Sequence, residues 1–262
     1  MSASSHPFAR IAPTTHPCKC CGAGSTLFGV TDFNKSCEDI RQPPAPLSGI
    51  PIYYHRCPQC GFIFTTAFDA FTHEDFGREI YNDQYARFDP DYLEARPKTN
   101  AEYLARIFGN SMNISILDYG GGSGQLAERL RQQGFTRVET YDPFVPQFST
   151  RPQATFDLLL AFEVIEHTPR PREVFADMLS LLNNPGMALY STAIQPPEIA
   201  QQGVNWWFIA PRNGHCSIHT SQSLDILSRH FNRRTVSTPS KIWHLLLDDL
   251  PPFAQHLSIP PK

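Results

Sequence analysis

Between residues 114 and 247, short apolar runs alternate with amphipathic stretches. Ile114-Ser115-Ile116-Leu117 ends in Asp118, Val138-Glu139-Thr140-Tyr141 ends in Asp142, and Phe156-Asp157-Leu158-Leu159-Leu160-Ala161-Phe162 ends in Glu163. Apolar runs of this length bounded by polar or glycine-rich segments predict buried strands. Gln125-Leu126-Ala127-Glu128-Arg129-Leu130 predicts a helix, as does 172–182, where Val174, Met178, Leu181 and Leu182 form an apolar side. Asn183-Asn184-Pro185-Gly186 predicts a turn and 187–191 a strand. A further helix over 222–230 starts behind the cap Ser221, with Leu224, Leu227 and Phe231 inward. Residues 234–237 and 242–247 predict a closing antiparallel pair. The alternation predicts an α/β fold, a doubly wound and mostly parallel sheet covered on both faces, with its ligand at the carboxyl ends of the strands.

The first strand runs into Tyr119-Gly120-Gly121-Gly122-Ser123-Gly124. Glycine lets a ligand approach the main chain, and the helix that follows offers unpaired N–H groups at its start. Such a turn takes a nucleotide or a nucleotide-like cofactor. Because Gly122-x-Gly124-x-x-Ala127 also resembles the end of the dinucleotide fingerprint, the turn alone leaves nicotinamide and S-adenosylmethionine both open. Asp142, about 20 residues beyond the glycines, is placed to accept from both ribose hydroxyls, a contact common to both cofactors.

The block Phe156-Asp157-Leu158-Leu159-Leu160-Ala161-Phe162-Glu163-Val164-Ile165-Glu166-His167 separates the two. Taken with Asp118-x-Gly120-x-Gly122-x-Gly124 and Asp142, it resembles the class I S-adenosylmethionine-dependent methyltransferases, over residues 100–248. The resemblance implies a Rossmann-like sheet in which Asp118, Gly120 and Gly122 meet the methionine moiety and Asp142 with Pro143 the ribose side. Ala161, Phe162 and Glu163 then line the reaction side. The interval 143–155 is too short for the usual third strand, so the adenine partner is left unassigned.

Upstream, Cys18-Lys19-Cys20-Cys21-Gly22 and Cys57-Pro58-Gln59-Cys60-Gly61 are paired Cys-x-x-Cys-Gly knuckles. Two knuckles supply four thiolates to one tetrahedral ion, so Cys18, Cys21, Cys57 and Cys60 are expected to hold a structural zinc, with Lys19 and Arg56 offsetting the charge. Disulfides are the competing reading; nothing in the chain calls for an oxidising compartment. Cys37 and Cys216 read as small apolar residues. The expected organisation is a mobile tail over 1–17, a zinc-ribbon module over 18–68, an aromatic-rich connector or lid over 69–98, the methyltransferase domain over 99–250 and a proline-rich tail over 251–262. Within the connector, Tyr81 and Arg96 are the residues expected to reach the cofactor, and the other aromatics to pack.

Composition narrows the setting. A chain of 262 residues accommodates one large domain and a small one, and its net charge of −3 argues against nucleic-acid binding. No leader pattern and no run long enough to span a bilayer is apparent, which points to the cytoplasm.

Since the methyl donor supplies the electrophile, the protein's tasks are alignment and proton removal. His215 is the first candidate for general base, His219 the second and His167 the third, near Glu163. Glu163, Glu166 and His167 also suit a second divalent cation, together with a distant histidine. That arrangement is similar to the small-RNA terminal 2′-O-methyltransferases and some quinone O-methyltransferases, which keeps a metal-assisted reaction on RNA or a quinone-like hydroxyl as the alternative. Of Trp206 and Trp207, one is expected inward and one in the acceptor pocket, while Arg212 is expected to hold an anionic group. The segment resembles zinc-ribbon methyltransferases that act on small molecules or glycans, which makes such an acceptor the expected partner. Oligomeric state is not specified.

Overall fold

The computed structural model describes residues 15–257. Strands β1 (Thr26–Asp32), β2 (Pro51–Arg56) and β3 (Ile63–Thr65) form an antiparallel N-terminal sheet. Helices α1 (His73–Glu79), α2 (Tyr85–Phe88) and α3 (Ala95–Phe108) lead into β4 (Ser115–Tyr119), α4 (Gln125–Gln132), β5 (Arg137–Tyr141), β6 (Phe156–Ala161), α5 (Pro171–Ser180) and β7 (Leu182–Ser191). Then come α6 (Ile199–Gln202), β8 (Ser217–Ile218), α7 (Ser221–His230), β9 (Arg234–Ser237) and β10 (Trp243–Leu247). The large sheet has the order β5-β4-β6-β7-β10-β9. Its first four strands are parallel; β10 runs antiparallel to both β7 and β9.

Alternation along the strands builds a core on each face. Leu117, Leu159, Ala161, Ala188 and Leu246 point toward Phe175 and Met178 of α5 and Leu224 and Leu227 of α7. Ile116, Leu158, Leu160, Leu189 and Leu245 point the other way, toward Leu104 and Phe108 of α3 and Leu126 and Leu130 of α4. These side chains are almost fully withdrawn from water. Burial of each stabilises the fold by about 1.5–3 kcal/mol before chain entropy is counted. Parallel strands buried on both faces need apolar residues at every position, which is why the β4 and β6 segments lack polar alternation.

Several expectations shift. Helix α7 starts one residue earlier than expected and its cap is Thr220, whose Oγ1 accepts from Ser223 N at 2.9 Å. The turn over 183–186 is absorbed into β7 as an irregularity: Phe156 pairs with Leu182, but Leu158 pairs with Met187. Between Tyr141 and Phe156 only a 3-10 turn, Pro146–Phe148, occurs, so the third strand is missing as anticipated.

Residue positions at the two ends also differ from the expected tails. Residues 1–14 and 258–262 lie outside the described residues. From His16 onward the chain is held, Ser25 N donating to the His16 carbonyl at 2.9 Å. Near the other end Ala254 is fully buried and Phe253 packs on Phe108 with centroids 5.9 Å apart. The N-terminal sheet also takes a fourth strand from far along the chain, because β8 pairs with β3 through Ile63↔Ile218 and Phe64↔Ser217.

Candidate active site

The glycine turn closes the carboxyl end of β4. Gly120 adopts φ +70°, and a Cβ on Gly121 would stand 2.3 Å from Asp118 Oδ2, so neither position tolerates a side chain without rearrangement. The Asp142 carboxylate ties the turn to the end of β5: Oδ2 accepts from Gly122 N at 2.8 Å and Oδ1 from Phe144 N at 2.8 Å. Asp118 is nearly fully buried and its Oδ2 has no hydrogen-bond partner. Desolvation, reinforced by the nearby Asp142, pushes its carboxyl up to about 7.

Above the turn opens a cavity of about 970 Å³, reached by Asp118, Gly120, Gly122, Asp142, Pro143, Phe162, Glu163, Tyr81 and Arg96 among the expected residues. Ala161 lies beneath, fully buried, and does not line it. The connector forms the roof. Thr72 caps α1, its side chain accepting from Asp75 N, and His73 and Tyr81 lay their rings on Phe144 at 5.2 and 4.9 Å. Arg96 is held as a fork by Asp89, Nη1–Oδ2 3.0 Å and Nη2–Oδ1 2.8 Å. Asp89, His73 and Phe144 were not singled out from the sequence. For Asp89 the signal was its place among charged residues before Pro90; for the other two there was none.

At the reaction side Glu163 has φ +56°, a costly conformation for a residue with a side chain, and Ser191 fixes it on both sides. Glu163 N donates to Ser191 Oγ at 2.9 Å, and Ser191 Oγ donates to Glu163 Oε1 at 2.7 Å. His167 and His215 come together with ring centroids 4.8 Å apart. His167 lines the large cavity, whereas His215 lines a smaller one of about 200 Å³ with Glu163, Cys37 and Trp207. Burial lowers both rings' affinity for protons, His167 well below the ordinary range and His215 to about 4, so both are neutral near pH 7. His219 is separated from them. It is fully buried, stacks on Phe62 at 4.8 Å and lines neither cavity.

The acceptor-side segment departs from expectation at one residue. Trp206 is inward and Trp207 lines the small cavity, although the segment is a 3-10 turn and bend rather than the extended stretch expected. Arg212, however, is buried and spent on the fold: its guanidinium donates to Ile80 O and Asn82 Oδ1 and lies 4.1 Å from the Phe88 ring centroid. It is not free for an anion.

The four knuckle cysteines converge. Their Sγ atoms all lie within 4.8 Å of one another, with Cys18–Cys60 at 3.6 Å and Cys21–Cys57 at 3.4 Å. Matching turns create this, Gly22 N donating to Cys18 O and Gly61 N to Cys57 O. Lys19 pairs instead with Asp69, while Arg172 donates to Cys20 O. Tight connections join the cluster to the reaction side: Thr220 Oγ1 donates to Cys60 O at 2.6 Å, and Tyr54 OH to His215 O at 2.6 Å.

A mostly parallel sheet with a glycine turn, a buried acid bonded to it and a roofed cavity at its carboxyl edge is the kind of α/β architecture that holds nucleotide-like ligands. Residues 92–238 match the methyltransferase domain family, and the chain belongs to that family. A search of curated proteins finds no match. Among solved structures the chain is similar to an O-methyltransferase family protein from Burkholderia thailandensis, with 13% identity over 68% of this chain and a TM-score of 0.48. It spans 62% of that protein's length. It is also similar to the 1,6-didemethyltoxoflavin-N1-methyltransferase of the same organism, with 16% identity, 79% of this chain, 97% of the other and a TM-score of 0.46. A third is the magnesium protoporphyrin IX methyltransferase of Synechocystis PCC 6803 with bound SAH, at 14% identity, 68% and 94% coverage, and a TM-score of 0.44. Among the described residues no helix is long and apolar enough to cross a membrane.

Proposed function

We propose that the protein transfers a methyl group from S-adenosylmethionine to an oxygen or carbon of a small-molecule or glycan acceptor. The observation that carries this reading is the bond between Gly122 N and Asp142 Oδ2 at the floor of the large cavity, which fixes the methionine-side turn against the ribose-side acid. When bound, the cofactor supplies an electrophilic methyl on its sulfonium. The chain supplies the rest. Asp118 offers a buried, unpartnered oxygen to the donor groups of the methionine moiety, and Asp142 has lone pairs left for ribose hydroxyls. The roof of Tyr81, His73 and Phe144 keeps water from the reacting atoms. His215 and its neighbour His167, both neutral, are the pair with a lone pair available for the acceptor's proton. His219 lacks the access this role needs.

The four converging sulfurs fit a closed zinc site: soft thiolates, tetrahedral number and no open position, hence a structural ion. Held there, zinc would fix the N-terminal sheet whose fourth strand is β8, beside His215.

Titration calorimetry with S-adenosylhomocysteine tests the cofactor assignment. One site per chain is expected, weakened about 10- to 100-fold by Asp142→Ala, the loss of charge-assisted bonds of about 1.5–3 kcal/mol. Absence of binding to the wild type would end this reading.

A further inference from the structure

A carboxyl group that lines neither cavity lies within reach of the histidine of each. Glu166 is fully buried, and apart from an approach of the Thr192 hydroxyl neither of its oxygens has a hydrogen-bond partner. His167 Nδ1 is buried and unpartnered as well. His215 Nδ1 lies 2.8 Å from the Phe208 carbonyl, which places the ring proton there and leaves the Nε2 lone pair free. One ligand atom from each of Glu166, His167 and His215 lies within 4.8 Å of the others. Arg96, whose charge Glu166 feels, is already committed to Asp89 by two bonds. A buried carboxyl group beside two neutral imidazoles, with the Thr192 hydroxyl as its neighbouring donor, has no positive partner of its own.

We propose that Glu166, His167 and His215 bind one divalent first-row transition cation. Two imidazoles and one carboxylate suit zinc, iron or cobalt better than magnesium or calcium, which prefer oxygen alone. The Phe208 carbonyl does for His215 what outer partners do for metal-bound imidazoles, fixing the ring's orientation and tautomer. Glu163, which spacing had placed among the ligands, stays outside the cluster, its Oε1 accepting from Ser191. His215 is the distant histidine that the spacing called for. Three protein ligands leave positions open, and they lie between the large cavity, lined by His167, and the small one, lined by His215. An acceptor oxygen entering from the small cavity can complete the ion's shell and so become more acidic, which takes the place of proton removal by a free His167 or His215 lone pair; this role, unlike the binding itself, rests on the methyltransferase reading.

The test uses the full chain purified with zinc present, titrated with Co²⁺ alone and followed by visible absorption, calorimetry and thermal unfolding. The wild type should bind one Co²⁺ with ligand-field bands but no thiolate-to-cobalt charge transfer, and its Tm should rise. Glu166→Gln should weaken Co²⁺ at least tenfold and abolish the Tm rise. His215→Gln, which leaves Glu166 in place, should also weaken Co²⁺ at least tenfold. The proposal is overturned if the wild type binds no Co²⁺ outside the cysteines, or if His215→Gln binds it as the wild type does, whatever the stability of Glu166→Gln. Titration of the same samples with S-adenosylhomocysteine separates the two readings, since Co²⁺ binding without cofactor binding would remove only the methyltransferase assignment.

Discussion

Asp142 and Glu166 are both buried carboxylates beyond the ends of parallel strands, and their surroundings differ completely. Each oxygen of Asp142 accepts a backbone N–H, from Gly122 and Phe144, whereas Glu166 has no backbone partner from another residue and only the Thr192 hydroxyl beside it. The cofactor end is thus finished by its own backbone. The reaction end is assembled from distant segments, with Tyr54, His167 and His215 brought together only by the fold, and its polar groups await something from outside. The lesson is that local sequence completes one half of the site and tertiary structure the other.

The contrast can be broken most forcefully at the knuckles. If the four cysteines hold zinc as proposed, replacing Cys60 with Ala should abolish its binding and cost on the order of several kcal/mol, since the free energy of a structural ion is folding free energy. Hydrogen exchange should accelerate at β3 and β8 well before β4 and β5; uniform acceleration would mean that the two ends are not separable. Next in size is the acid response of His244, which is fully buried on β10 with Nε2 on Thr192 O and Nδ1 on Ser237 Oγ. Burial depresses it to about 4, below the ~6.5 of an exposed imidazole. Its folded-state penalty is absent above pH ~6.5 and grows as pH falls toward 4, reaching on the order of 3 kcal/mol. His244→Gln should therefore flatten denaturant-measured stability against pH in that window, and an unchanged slope would contradict the assignment.

A third prediction concerns Asp118 at the cofactor end. Because the ionised carboxylate is the form that receives a cofactor ammonium, and its ligand-free value is about 7, affinity for S-adenosylhomocysteine should fall below pH 7 by up to about tenfold per unit and level off above it. Calorimetry at several pH values checks this, with Asp118→Asn expected to remove the dependence. Smallest is the roof: Thr72→Ala deletes the α1 cap and should cost about 1 kcal/mol, measured by thermal unfolding. If that variant changes cofactor affinity as well, the connector acts as a lid rather than as packing.

The large sheet was legible because burial on both faces writes continuous apolar runs, and the glycine turn because steric demand admits no other residue. Helix starts were less so. Thr220 and Ser221 are chemically alike as caps; Thr220 caps through Ser223 N and its Oγ1 also donates to Cys60 O, a partner 160 residues away. Nor could one-dimensional spacing separate His215 from His219, two polar residues four positions apart, of which one reaches a cavity and the other packs on Phe62. Arg212 misled for the same reason: its partners Ile80 and Asn82 lie about 130 residues away. The pairing of β8 with β3 is equally long-range, and two-residue strands carry no readable period.

The central claim is that the cavity over the glycine turn holds the methyl donor, and a crystal grown with S-adenosylhomocysteine tests it most directly. The account predicts the ribose hydroxyls on Asp142, the amino acid portion against Gly120 to Gly122, and the sulfur facing Phe162 and Glu163. A cavity left empty at saturating ligand, or a ligand bound elsewhere on the protein, would contradict it.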